Sequence, residues 1–397
     1  MIKNRDIIVI GIQPWDTEIG SNCKDIATEF AKHNRVLYVN SPLDRITMLR
    51  DMGNPKIMKR IRVNKGTEPD LVELQKKFWN LYPKGLTESI NWISNTWIYD
   101  LLNKRNNRIF SNAIQSAIKR LDFKDFILFN DSSMFTGFYI KELLKPAVYV
   151  YYMRDYLTKN PYWRRHGVRL EPQLIRKSDV VVNNSTLYTK YGLQFNPHSY
   201  MIGQGCDTTM FNDIDNQIDV AADMLSIAKP VIGYVGALSG RRLDIALIAY
   251  IARQRPNWSI VLVGPEDEAF AASELHEISN IRFLGSRDSS LLPGYIKGFD
   301  VCINPQLVND ATIGNYPRKI DEYLAMGKPT VATATKAMEY FKDYTYLAVT
   351  HQDYIDLIDK ALTGNSSEKE QERRRFASEH TWENNVLEIY KHIEELT

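Results

Sequence analysis

The sequence predicts an α/β protein built from two doubly wound, Rossmann-like domains facing a central cleft. Three observations lead there. Short apolar runs of strand length alternate with amphipathic stretches of helix length, which is the pattern of parallel βαβ units. The alternation runs twice, from Ile7 and again from about Lys229. The length of 397 residues suits two domains of ordinary size.

The first cycle opens with the run Ile7–Ile10, a polar loop Gly11–Ser21, a helical pattern over Asn22–His33 and a strand Val36–Val39. Later strands are predicted at Phe126–Phe129, Val148–Tyr152 and Val180–Val182. Between Pro42 and Asp122 the alternation is lost, and the stretches KIMKRIRVNK and QKKFWNLYPK are basic, aromatic and helix-prone. They predict helical insertions on the first domain. The second cycle reads as a strand Val231–Val235, a loop Gly236–Arg242 and a helix Leu243–Arg253. Strands Ser259–Val263, Ile281–Leu284, Val301–Asn304 and Thr330–Ala332 follow. Phe211–Ser226 reads as a surface connection, and Thr381–Leu396 as a final amphipathic helix. The expected boundaries are 1–205, 206–378 and 379–397, with the last segment packing back on the first domain. Ligands of such sheets bind outside the carboxyl ends of the strands.

Composition narrows the function classes. The chain is 44% hydrophobic and 25% charged, as soluble globular proteins are. A net charge of +2 gives no argument for nucleic acid. Cys23, Cys206 and Cys302 lie far apart, without metal-ligand spacing, and read as thiols of a reducing cytoplasm. The histidines form no HxxxH pair, so no bound metal is expected. The start MIKNRDIIVIGIQPWD has too short an apolar run for a secretory signal, and no run reaches membrane-spanning length.

The segment Asn315–Thr333, NYPRKIDEYLAMGKPTVAT, carries the most chemistry. Pro317 suits a first helical turn, Gly327 the residue just past a helix, and Pro329 a stop, which predicts a helix over Pro317–Met326. Ile320 and Leu324 share the face toward the sheet, and Lys319 and Glu322 share another. A carboxylate accepts hydroxyl hydrogen bonds and an ammonium pairs with phosphate, so the pair suits a nucleoside diphosphate. A surface salt bridge between the two fits the same spacing. In GYVGALSGRRLD, a strand feeds a glycine-containing loop that opens a helix. Gly236 lets backbone approach a ligand, and Arg241 and Arg242 add charge for a diphosphate. The loop is not a G-x-G-x-x-G fingerprint, so no nicotinamide cofactor is expected.

The segment around Pro317, Lys319, Glu322, Tyr323, Ala325, Gly327, Lys328 and Pro329 resembles the C-terminal-domain motif of GT-B glycosyltransferases related to family 4, also called group 1. The loop at Gly233–Asp244 resembles that family's G-R-L loop, IGQGCDTTMF its interdomain hinge, and VLVGPED, with Gly264, the turn facing the donor base. FLGSRDSSLLPGYIKGFDVCINP resembles the loop, helix and strand that follow, with Arg287 lining the base pocket. The resemblance implies a GT-B fold and sugar transfer from a UDP- or GDP-linked donor to a hydroxyl acceptor, without a further cofactor. It also implies a place in bacterial cell-surface polysaccharide or glycoconjugate synthesis, in the cytoplasm, with a glycan or lipid-linked glycan as acceptor. Glu322 would hold the ribose, and Lys319 and Arg242 would stabilise the leaving diphosphate. The sequence departs from the family at Gly314, where a second glutamate is usual. Backbone of Thr312–Asn315, or Asp310, is the expected substitute.

Asp16, Asp131 and Asp155 each follow an apolar run in the first half, where a parallel sheet places them at strand ends. Asp155 is the expected catalytic base, with Arg154 beside it neutralising it or binding an acidic group; helix capping is the competing role for all three. The family leans toward retention at the anomeric carbon, whereas a base at Asp155 suits inversion. The basic, aromatic stretch Lys56–Leu121 has two readings: peripheral contact with an anionic membrane, or a solvated helical face with its aromatics turned inward. Two other functions fit the same donor motif: a GT-B nucleotide-sugar 2-epimerase, and a non-catalytic nucleotide-sugar-binding subunit.

Overall fold

The computed structural model describes residues 1–17, 21–154, 157–309, 312, 314 and 316–396. They divide into two compact units, Met1–Gly203 with Asn385–Thr397, and Gln204–Asn384.

Among the described residues the first unit holds eight strands: β1 (Asp6–Gly11), β2 (Arg35–Val39), β3 (Leu71–Gln75), β4 (Phe78–Leu81), β5 (Ile127–Asp131), β6 (Val148–Met153), β7 (Val180–Asn183) and β8 (Ser199–Met201). Their order in the sheet is β3-β4-β2-β1-β5-β6-β7-β8. Every pairing is parallel except β3 with β4. Strands covered on both faces must be apolar throughout rather than alternating. β1 shows this: Ile7, Ile8, Val9 and Ile10 are all buried.

The second unit holds β9 (Val231–Val235), β10 (Ser259–Val263), β11 (Ile281–Gly285), β12 (Val301–Asn304), β13 (Thr330–Thr333) and β14 (Tyr346–Ala348). They form one parallel sheet in the order β11-β10-β9-β12-β13-β14. In each sheet the chain leaves its first strand toward one edge and later crosses to the other side. β1 lies between β2 and β5, and β9 between β10 and β12. The carboxyl ends of those strands are the switch points where such sheets bind ligands.

The stretch from Pro42 to Asp122 departs from the expected all-helical insertion. Helices Arg45–Arg50, Pro55–Lys65 and Thr96–Leu121 are present, but β3 and β4 lie between them and extend the sheet. Lys77, at φ 68°, turns the chain between the two strands. Val36 through Val39 then pair in register with Phe78 through Leu81. The buried Asn80 accepts from Asn40 Nδ2 at 2.9 Å. Neighbouring lysines and aromatics in QKKFWNLYPK mask a four-residue strand whose Phe78 and Leu81 are core residues.

The final helix, Trp382–Glu394, is two residues shorter at its C-terminal end than the pattern implied. Its Tyr390 stacks on Phe30 at 5.5 Å and accepts from Asn34 Nδ2 at 2.8 Å.

One buried carboxyl is a liability of the fold. Glu171, on helix Pro161–Lys177, is 2% exposed and accepts from the Tyr151 hydroxyl at 2.9 Å. Burial pushes it up to about 7. The folded state then holds the proton more tightly than the unfolded chain, so stability from this group falls as pH rises from the ordinary glutamate range through 7. Glu171→Gln should therefore raise the thermal midpoint at pH 8 more than at pH 5; equal changes at both would contradict this.

Candidate functional site

The turns at the carboxyl ends of β9, β10 and β11 are laced together by backbone. Gly236 N donates to Val263 O, and Gly264 N to Gly285 O, each at 2.9 Å. Gly236 and Gly264 have φ of +136° and +151°, a region that glycine alone occupies freely. A Cβ on Gly264 would lie 2.0 Å from Gly236 O. Two side-chain-free turns are thereby stacked at the switch point of the sheet.

Lys319 is aimed at the first of them. Its Nζ would lie 3.1 Å from a Cβ on Gly236, donates to the Tyr234 hydroxyl and sits 4.3 Å from the Tyr234 ring centre. The helix that carries it spans Lys319–Ala325, later than expected, because Tyr316 O and Pro317 O are taken by the tight turns of Arg318 N and Ile320 N. Gly327 follows it at φ 73°, as a left-handed helix end requires. Ile320 and Leu324 are buried, and the Tyr323 hydroxyl accepts from Val235 N at 2.9 Å, fixing the helix to the end of β9.

Glu322 lies on this helix with its side chain 16% exposed. Its ion-pair partner is Arg318 at 3.6 Å, not Lys319. Burial raises its carboxyl, and the nearby Arg318 and Lys319 charges oppose that rise. Lys319 and Glu322 are therefore not spent on each other.

The loop that ends in Arg241 and Arg242 has a different construction from the expected anion-binding helix start. The helix begins at Ile245, and Asp244 caps it, accepting from Leu247 N at 2.9 Å. A carboxylate already occupies the position where a phosphate was expected. The arginines hold neighbouring backbone instead: Arg242 O accepts from Leu307 N at 2.8 Å, and Arg241 O from Asn309 Nδ2 at 3.2 Å. Both side chains are exposed, and neither makes a hydrogen bond or ion pair among the described residues.

The other expected site residues that are described are each engaged by neighbours of their own unit. Arg287 is committed to Tyr295, at 2.6 Å, and to Asp223, at 2.9 Å. Thr312 is tied into its own loop through Asn309, while Asp310 and Asn315 lie outside the described residues. Asp155 lies outside them as well. Asp131 ends β5 fully buried and pairs with Arg154 at 2.8 Å. Asp16 pairs with Arg60 through both carboxylate oxygens, at 2.9 and 3.1 Å. Neither aspartate caps a helix; each meets an arginine.

Two features escaped the sequence. Tyr234 lies 85 positions from Lys319, and nothing in the local pattern joins them. Asp321, fully buried beside Glu322, meets His380 Nδ1 at 2.7 Å, and His380 Nε2 meets the Tyr340 hydroxyl at 2.9 Å. Burial raises the Asp321 carboxyl, and His380 is the strongest opposing influence. Removing one partner of such a pair leaves a buried charge uncompensated. His380→Ala should cost about 3 kcal/mol of stability in urea unfolding; an unchanged midpoint would show that His380 does not hold the helix.

Among the described residues no group of His, Cys, Asp and Glu is arranged to hold a metal, and no helix is long and apolar enough to cross a membrane. Cys23, Cys206 and Cys302 are free and buried.

Two doubly wound sheets with such switch points are what a GT-B fold contains, and comparison with known proteins agrees. Residues 229–363 match the family described as "Glycosyl transferases group 1", so the second unit, which carries Lys319 and Glu322, resembles those enzymes. A relative in Bacillus subtilis (strain 168), named "Putative teichuronic acid biosynthesis glycosyltransferase TuaH", is 31% identical over 171 residues. That stretch is 41% of this chain and spans 42% of the relative. HepE of Anabaena, solved in complex with UDP and glucose, superposes with a TM-score of 0.65 at 16% identity, covering 99% of this chain and 100% of that one. Sucrose-phosphate synthase of Thermosynechococcus elongatus superposes with a TM-score of 0.65 at 14% identity, covering 99% of both chains. At such identities the superpositions establish the GT-B fold.

Proposed function

We propose that this protein transfers a sugar from a nucleoside diphosphate sugar to a hydroxyl of a glycan or lipid-linked glycan. The observation that carries the proposal is the placement of Lys319 against the Gly236 turn, with Glu322 one helical turn further along. Glu322 would accept from the ribose hydroxyls. Lys319, with Arg242 or Arg241, would offset the charge that grows on the diphosphate as the glycosidic bond breaks, a role that needs no metal. Gly236 and Gly264 would let the two turns pack backbone on backbone, with Lys319 beside them, where the diphosphate would lie. UDP is the proposed carrier, since HepE binds UDP and UDP-glucose. The TuaH relative supports a role in cell-surface polysaccharide synthesis. Arg287, held by Asp223 and Tyr295, would act on the base only as a fixed wall.

Asp155 is the proposed acceptor-side residue. Asp155→Asn should abolish transfer and spare nucleotide binding; near-normal turnover would remove it from the mechanism. Retention is the favoured outcome on family resemblance, and NMR of the product's anomeric proton decides it.

A membrane-facing role gains support from the first unit. Trp92, Trp97 and Leu101 are 69%, 72% and 57% exposed, while Phe78, Tyr82, Tyr99 and Phe110 are buried. The exposed Lys104, Arg108 and Arg164 stand on the same two helices as Trp97 and Tyr162. Trp at a headgroup boundary beside basic side chains suits an anionic leaflet. The double variant Trp92→Ser, Trp97→Ser should weaken co-sedimentation with vesicles of acidic lipid by about tenfold. Binding of the unmodified protein that ignores acidic lipid and salt would contradict the role.

A further inference from the structure

The first unit contains a cavity of about 280 Å³ that the donor chemistry does not use. It opens at the carboxyl ends of three strands, lined by Ile12 after β1, Ser41 after β2 and Ser133 after β5. Its wall is aromatic. Phe135 and Trp163 are stacked at 5.0 Å, Tyr162 lies 5.4 Å from Trp163, and Tyr99 lies flat on His166 at 3.6 Å.

Three of its lining side chains hold buried polar atoms without a hydrogen-bond partner among the described residues: Asn91 Oδ1, the Tyr99 hydroxyl and Asn103 Nδ2. These residues are 9%, 1% and 2% exposed. The other ends of the amides are used: Asn91 Nδ2 donates to Tyr162 O, and Asn103 Oδ1 accepts from Asn107 Nδ2 at 3.2 Å. Unmet buried groups are costly, and natural structures keep few of them. Three around one cavity mark a place where a ligand supplies the partners. The set comprises an acceptor, a group that can donate or accept, and a donor.

Charge restricts that ligand. Among the described residues no lysine or arginine lines the cavity. Its two carboxylates are engaged elsewhere: Asp44 accepts from Thr47 N at 2.9 Å, and Glu88 pairs with Arg45 at 3.0 Å and with Arg105 at 3.3 Å. An anionic ligand would enter with no counter-charge. A ring with an apolar face and several hydroxyls meets the wall on one side and the unmet groups on the other.

We infer that this pocket binds an uncharged sugar ring of the acceptor, and that Tyr99, Asn91 and Asn103 discriminate against hexuronate or phosphate at that position. The inference rests on the transfer reaction proposed above for the word acceptor, but not for the pocket itself.

The test uses the full chain and saturation-transfer NMR with methyl glycosides of neutral hexoses, N-acetylhexosamines and hexuronic acids, with UDP affinity measured on the same samples. A neutral glycoside should bind, and the matching hexuronate should bind more weakly. Tyr99→Phe removes a hydroxyl that bonds no group among the described residues, so its thermal midpoint should not fall while glycoside affinity drops about tenfold. Asn103→Leu should also weaken the glycoside and leave UDP affinity unchanged. Absence of glycoside binding, equal affinity in both variants, or preference for the hexuronate would overturn the inference. A chain that binds the glycoside through Tyr99 but transfers sugar from no nucleotide donor would refute the proposed reaction and leave the pocket standing.

Discussion

Lys319→Ala is expected to lower turnover by about a hundredfold, the usual loss when one preorganised group facing a developing anion is removed. The ammonium is held in advance. It donates to the Tyr234 hydroxyl, lies over the Tyr234 ring and approaches Gly236 where no side chain intervenes. No reorganisation would then be needed as charge builds on a leaving diphosphate. Lys319→Arg should fail to restore the rate, because the planar guanidinium cannot take the place of a compact ammonium so close to the turn. Tyr234→Phe should lie between Lys319→Ala and the original chain, since it frees the ammonium without removing it. Steady-state rates with a saturating donor separate the three; turnover of Lys319→Ala within a few-fold of the original would exclude leaving-group stabilisation by this residue.

Glu322→Ala should weaken nucleotide binding by about thirtyfold, corresponding to roughly 2 kcal/mol for hydrogen bonds to a charged carboxylate. The loss should appear in affinity, read by calorimetry, since the ribose changes little during the reaction. A pH dependence accompanies it. Burial raises the Glu322 carboxyl, so its protonation begins at higher pH than that of an exposed glutamate. Protonation removes acceptor capacity, so nucleotide affinity should fall on acidification and this contribution should vanish in Glu322→Ala. An unaltered affinity in that variant would separate Glu322 from the ribose.

Much of the fold was legible because strands buried on both faces must be written as continuous apolar runs. Ile7–Ile10, Val180–Val182 and Ile260–Val263 announce themselves in this way. β4 did not, since its Asn80 is satisfied by Asn40 just past the end of β2, and a buried asparagine looks like a loop residue until its partner is known. The donor motif was legible as a local helix with Lys319 and Glu322 on one face. Its partners were not: Arg318 displaces Lys319 as the ion pair of Glu322, and Tyr234 receives Lys319 from a distant strand. Asp244 shows a further limit. An aspartate ending GRRLD reads equally as part of a basic loop or as a cap, and only the position of Leu247 N distinguishes them. The exposed Trp92 and Trp97 reverse the usual inward rule for aromatics, which composition alone cannot register.

A grip of the second unit on a nucleoside diphosphate through Lys319 and Glu322 underlies the proposed transfer. It is tested most directly by thermal unfolding of the chain and of Glu322→Ala against UDP, GDP, ADP and their sugar conjugates. A ligand that binds only the folded state raises the midpoint by mass action. UDP and a UDP-sugar should raise the midpoint of the original chain, and the rise should largely disappear in Glu322→Ala. No shift with any nucleotide, or an equal shift in both chains, would contradict the claim.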